Sequence, residues 1–97
     1  MKREIMKYEL MLILKPFLSE QVRDGSQEKI KKIIEGLGGT MLNVDVWGKR
    51  HLAYKVDGHE EGYYIVSDVE IPADKLDDIN REFGLMSNIL RFMIIKE

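Results

Sequence analysis

Apolar and polar positions alternate with period two in four stretches of this chain and recur at helical spacing in two others. From residue 7 to residue 15, Tyr8, Leu10, Leu12 and Leu14 point one way and Glu9, Met11, Ile13 and Lys15 the other, which predicts a strand. Lys15-Pro16 ends it, because proline has no N–H to give the ladder. Ser19 and Glu20 open a helix. Its apolar stripe is Val22, Ile30, Ile33, Ile34 and Leu37. Gly25 lies inside that span and is unfavourable by about 1 kcal/mol against alanine. Either the helix tolerates it, or the helix starts at Ser26. Gly36, Gly38 and Gly39 stop it. Residues 40–47 read as a second strand, rich in Met41, Leu42, Val44, Val46 and Trp47. Gly48 predicts a bulge or a close backbone approach, after which the strand resumes through Leu52, Tyr54 and Val56. Residues 57–62 (Asp-Gly-His-Glu-Glu-Gly) have the chemistry of a hairpin loop. A third strand follows at 63–71, with Tyr63, Ile65, Val69 and Ile71 on one face and Tyr64, Val66, Asp68 and Glu70 on the other. Pro72 opens a second helix, with Asp74 in its first turn, a stripe of Leu76, Ile79 and Phe83, and Gly84 as its cap. In the last strand, residues 89–96, Leu90, Phe92 and Ile94 alternate with Arg91, Met93 and Ile95.

The order β-α-β-β-α-β predicts one α+β domain over residues 1–97: a ferredoxin-like, four-stranded antiparallel sheet with two helices on one face. Residues 1–5 form an unpatterned lead-in. The face opposite the helices would carry Met11, Ile13, Tyr64, Val66, Met93 and Ile95, with Glu9 and Arg91 at intervals. A sheet face left to water should be polar, so an apolar one predicts a partner surface. The alternative is that long neighbouring side chains roof it over. Arg91 on such a face is either a planar donor to phosphate or carboxylate or one half of an ion pair with Glu9 across the sheet.

Composition narrows the function. With 97 residues, 44% hydrophobic and 33% charged, the chain is a folded domain. It has no cysteine, hence no disulfide framework and no thiolate metal site. No apolar run reaches the roughly 18 residues of a membrane span. Lys15-Pro16 directly follows the apolar stretch 8–14, with no small-residue cleavage site, so a signal peptide is not expected and cytoplasm is. A net charge of −2 argues mildly against nucleic acid. The charge is uneven, however. Lys49, Arg50 and Lys55 stand without an acid in residues 49–55, and Asp57, Glu60 and Glu61 without a base in residues 57–61. The stretch Trp47-Gly48-Lys49-Arg50-His51-Leu52-Ala53-Tyr54 therefore holds the densest positive charge beside apolar anchors, or else is simply a solvated strand end. No catalytic constellation is visible. His51 and His59 lack a third ligand, and Gly48-Lys49-Arg50 lacks the spacing and the following helix of a phosphate loop. No enzyme activity, cofactor, metal or small-molecule substrate is expected.

Lys7-Tyr8-Glu9, the Trp47–Tyr54 stretch, Gly62-Tyr63 and Ile89-Leu90-Arg91-Phe92-Met93 together resemble the bacterial small-subunit ribosomal protein six family, over roughly residues 6–97. The resemblance implies the ferredoxin-like fold and no catalysis. It implies binding to the central domain of the small-subunit ribosomal RNA, as a heterodimer with ribosomal protein eighteen. It places the family's basic motif on Lys49, Arg50 and His51 and its last-strand arginine on Arg91, as contacts to RNA phosphates or to the partner protein. The apolar face, Met11, Ile13, Tyr64, Val66 and Met93, becomes the partner surface. Tyr8 and Tyr54 are expected to pack in the core. The chain departs from many relatives at Lys55, where they have proline, and from some at Leu90, where they have a second basic residue. A different class of reading is a ferredoxin-like regulatory or ligand-binding module that homodimerises through its sheet face.

Overall fold

The computed structural model describes residues 4–97. The elements are β1 (Ile5–Leu14), α1 (Glu20–Gly36), β2 (Thr40–Val56), β3 (His59–Pro72), a 3-10 turn (Ala73–Lys75), α2 (Leu76–Gly84) and β4 (Ile89–Lys96). The sheet order is β2-β3-β1-β4, with every neighbouring pair antiparallel. This is the ferredoxin-like arrangement that the element order predicts.

The core forms where the helices meet one sheet face. Tyr8, Leu10, Leu12 and Leu14 of β1, with Ile65, Val69 and Ile71 of β3, pack against Ile30 and Ile34 of α1 and Ile79 and Phe83 of α2. Burying each such aliphatic side chain stabilises the fold by about 1.5–3 kcal/mol. Phe83 meets Phe92 of β4 edge to face, with centroids 5.4 Å apart and planes at 90°, which suits the ring quadrupoles.

Ser19 caps α1, its Oγ accepting from the Val22 N–H at 3.2 Å. The helix runs straight through Gly25, so it begins at the cap and not at Ser26. Its end is a Schellman motif: the Gly38 N–H donates to the Glu35 carbonyl and the Gly39 N–H to the Ile34 carbonyl. Gly38, at φ +88°, takes the left-handed position this motif requires.

Four boundaries and one side chain differ from expectation. Val22 lies outside the buried row, which is Ser26, Ile30 and Ile34. It sits on a shallow groove beside the α2–β4 connection, which leaves it exposed. The buried Ser26 Oγ instead ties that connection down, donating to the Val22 carbonyl at 3.0 Å and accepting from Asn88 Nδ2 at 3.1 Å. Pro72 ends β3 rather than opening a helix, because strand pairing persists to Ile5↔Pro72 and the Ala73 N–H donates to the Glu4 carbonyl. Gly84 is the last helical residue and Leu85 the cap. β1 begins at Ile5, inside the expected lead-in, of which residues 1–3 lie outside the described residues. Finally, the β2–β3 loop is not six residues long. Asp57 (φ 48°) and Gly58 (φ 79°) make a two-residue turn, and β3 already starts at His59. Asp-Gly with both residues at positive φ matches the twist of the flanking strands.

Candidate nucleic-acid and partner interface

The strand registers set the layout of the face opposite the helices. One cross-strand row reads Asp45, Val66, Met11, Met93 from β2 to β4. The next, toward the β2–β3 turn, reads Gly48, Tyr64, Ile13, Arg91. Toward the opposite end, Asp68, Glu9 and Ile95 form a row. The expected partner-surface residues Met11, Ile13, Tyr64, Val66 and Met93 therefore do adjoin one another on one face. Their roofing differs. Ile13 is 9% exposed and Met93 46%, so the β1 side is covered by its neighbours while the β4 edge lies open.

Gly48 produces the bulge predicted for it. The register slips between Val46↔Ile65 and Gly48↔Tyr64, and Gly48 sits at φ +81°. The slip leaves Trp47 unpaired and lays its ring on Tyr64, with centroids 6.3 Å apart and planes 9° from parallel. Asp45 fixes the indole by accepting from Nε1 at 3.0 Å. The tryptophan thus extends the apolar patch toward the β2 edge.

The basic residues do not converge on one point. Strand alternation splits the Lys49-Arg50-His51 triplet. Arg50 lies opposite Gly62 on the open face, whereas Lys49 opposite Tyr63 and His51 opposite Glu61 belong to the helix side. Arg91 stands on β4, at the other edge of the sheet from β2. Three strand spacings, about 14 Å, separate those edges. Both arginines are at the same end of the face. The acids gather at the other, where Asp68, hydrogen-bonded by Asn43 Nδ2 at 3.4 Å, neighbours Glu9 and Glu97. A hydrogen bond that the protonated Glu97 carboxyl donates to Asp68, followed by loss of hydration and the negative charges of Asp68 and Glu9, pushes the Glu97 carboxyl above the usual range.

Beyond His51 the β2–β3 hairpin becomes an arm with its own geometry. Pairing passes from His51↔Glu61 directly to Val56↔His59, so residues 52–55 of β2 lie opposite Glu60 alone. This excess turns Tyr54 out of strand register. The expected core position is not taken: Tyr54 is 63% exposed, while Tyr8 is buried as expected. The Tyr54 hydroxyl accepts from Arg91 Nη1 at 2.8 Å, and the guanidinium carbon lies 5.6 Å from the ring centroid. Arg91 therefore does not pair with Glu9, which sits opposite Ile95. His51 and His59 are also kept apart, opposite Glu61 and Val56. Among the described residues no group of three or more metal-ligating side chains forms. Tyr54→Phe is expected to lower stability by about 0.5 kcal/mol, since the hydrogen bond is exposed, and to speed amide hydrogen exchange across residues 52–60. Unchanged exchange there would show that the contact does not hold the arm.

The comparisons with known proteins show the family to which this chain belongs. The family model described as ribosomal protein S6 matches residues 7–96. The chain belongs to the ribosomal protein S6 family. The small ribosomal subunit protein bS6 of Dictyoglomus turgidum is 44% identical over 88 residues, 91% of each chain. That of Clostridium botulinum strain 657 is 41% identical over 91 residues, covering 94% of this chain and 97% of the relative. The crystal structure of 30S ribosomal protein S6 from Thermotoga maritima matches with a TM-score of 0.89 at 27% identity, covering 97% of this chain and 89% of that one. The resemblance carried by the Trp47–Tyr54 stretch is thus membership of the S6 family, and the ferredoxin-like fold is shared with a solved S6 protein. Two features of this S6-family chain are not marked by periodicity or motif: the Tyr54–Arg91 contact and an exposed Phe17 beside Lys49. The excess residues of the arm hid the first. A phenylalanine directly after Pro16, outside any periodic run, was the available signal for the second.

Proposed function

We propose that this chain is a structural, non-catalytic component of the small ribosomal subunit, and that it binds the central domain of the small-subunit ribosomal RNA together with ribosomal protein eighteen. The observation that carries the reading is the open sheet face of an S6-family chain, apolar at Met11, Ile13, Tyr64, Val66 and Met93 and flanked at one end by Arg50 and Arg91. The apolar centre suits a protein partner, because it offers area whose removal from water drives association. The arginines suit phosphate or carboxylate, which their planar forks meet with two hydrogen bonds. Lys49 and His51 add donors on the helix side. With a net charge of −2 and only Arg50 and Arg91 flanking the open face, the chain alone binds RNA weakly, and the partner supplies the remaining contacts.

Arg50→Ala tests the phosphate role. Arg50 is exposed, so the fold is retained. The partner-loaded complex should lose RNA affinity several-fold, and its salt slope should flatten by about 0.7–0.9, the value of one phosphate contact. Equal binding and an equal slope at matched salt would remove Arg50 from the RNA surface.

A further inference from the structure

Phe17 is 78% exposed, more than any other large apolar side chain among the described residues. Its two neighbours anchor it: Pro16 is buried and Leu18 packs on the core. Lys49 Nζ stands 4.9 Å from the centre of the Phe17 ring. Lys49 is the cross-strand partner of Tyr63, and the Arg23 guanidinium of α1 covers the Tyr63 ring at 4.2 Å. Four elements, namely the β1–α1 connection, α1, β2 and β3, thus bring two rings and two cations to one corner on the helix side of the sheet. Neither cation forms an ion pair among the described residues. Arg23 uses one of its five donors, on the Leu18 carbonyl at 3.4 Å, and the Lys49 ammonium forms no hydrogen bond within the described part of the chain.

We propose that this corner is a second RNA-contact site, separate from the open face, that holds one unpaired nucleotide with its base on the free face of the Phe17 ring and its phosphate between Lys49 and Arg23. The inference rests on the reading that the chain binds ribosomal RNA. A ring backed by a cation and open to water on its other side is a stacking platform, and every base has a face to offer it. A base paired within a helix cannot reach such a ring, so the ligand is a loop, bulge or single-stranded nucleotide. Strand alternation brings Lys49 to this corner and leaves Arg50 on the open face. The two serve different sides of the sheet: Arg50 meets phosphate at the end of the open face, and Lys49 meets a second stretch of the RNA on the helix side.

The test uses the full chain with its partner protein and a central-domain RNA fragment. Phe17→Ala should reduce affinity about 5- to 100-fold, the range for loss of one stacked base, while Phe17→Tyr should not. The salt slope of Phe17→Ala should be unchanged, whereas Lys49→Gln and Arg23→Gln should each flatten it by about 0.7–0.9. A photo-crosslinking benzophenone in place of Phe17 should capture RNA. Capture of protein instead, or wild-type affinity for Phe17→Ala beside tight wild-type binding, would overturn the site while leaving the ribosomal reading intact. No RNA binding by the wild-type pair would overturn that reading and the site with it.

Discussion

Gly62→Ala is expected to destabilise the domain by about 2–3 kcal/mol, at the upper end of the range for overpacking a well-filled site. A Cβ at this position would overlap Cγ2 of Ile13 and come within 3.5 Å of Leu52 Cδ2 and 3.6 Å of the Leu14 carbonyl oxygen. Ile13 has little room to yield. It is β-branched, so its χ1 is stiff, it is 9% exposed, and its cross-strand neighbours are Tyr64 and Arg91. Leu52 belongs to the arm, so the same substitution should lift the arm and loosen the Tyr54–Arg91 contact. The cost is steric and not conformational, because Gly62 does not occupy the left-handed region. Denaturant midpoints measure it. Gly25→Ala is the matched control: nothing lies within 4 Å of its added methyl group, and helix propensity favours alanine by about 1 kcal/mol. A loss below about 0.5 kcal/mol at Gly62 would mean that Ile13 and Leu52 are not packed against the glycine.

On the proposed function, Met93→Asp should weaken association with ribosomal protein eighteen by about 100-fold or more, and partner-dependent RNA binding with it. Met93 lies in the row Asp45, Val66, Met11, Met93 and is 46% exposed. In the free protein the new carboxylate keeps its water, so the unfolding midpoint should change little beyond the small strand preference against aspartate. Beneath a docked apolar partner the carboxylate would be stripped of water, and Arg91, the cation two positions along the same face, is already held by the Tyr54 hydroxyl, so the penalty is several kcal/mol. Aspartate is also too short to reach back to solvent as lysine would. Met93→Leu should bind nearly as the wild type does, which separates loss of surface from introduction of charge. Tight partner binding by a folded Met93→Asp variant would show that the interface lies elsewhere.

The fold was legible because its signals agree locally. The alternation of Tyr8, Leu10, Leu12 and Leu14 gives the buried face of β1 without ambiguity, and all four are buried. Gly38 and Gly39 complete the cap that their position after an apolar stripe announces. Gly48 makes the bulge that a glycine inside a strand suggests. What alternation could not reveal is an excess of residues. Leu52, Tyr54 and Val56 read as one face, yet four residues opposite Glu60 turn Tyr54 outward while Val56 is buried. Side-chain count along the chain carries no record of such a slip, because register is fixed by the partner strand. The candidate site was legible in residue type and less so in grouping. Arg50 and Lys49 are adjacent in sequence and look like one patch, but a strand sends neighbours to opposite faces. The apolar open face, in contrast, followed directly from the same alternation that gives the core. Val22 failed for a further reason: helical periodicity defines a stripe but not where the surface beneath it ends.

The most direct measurement is a titration of this protein into a central-domain fragment of the small-subunit ribosomal RNA, with and without ribosomal protein eighteen, at two salt concentrations. Weak binding alone, tight binding with the partner and a log–log slope of about −0.7 to −0.9 per phosphate contact are the expected result. RNA affinity indifferent to the partner, or a homodimer closed through the open face that binds no RNA, would contradict it.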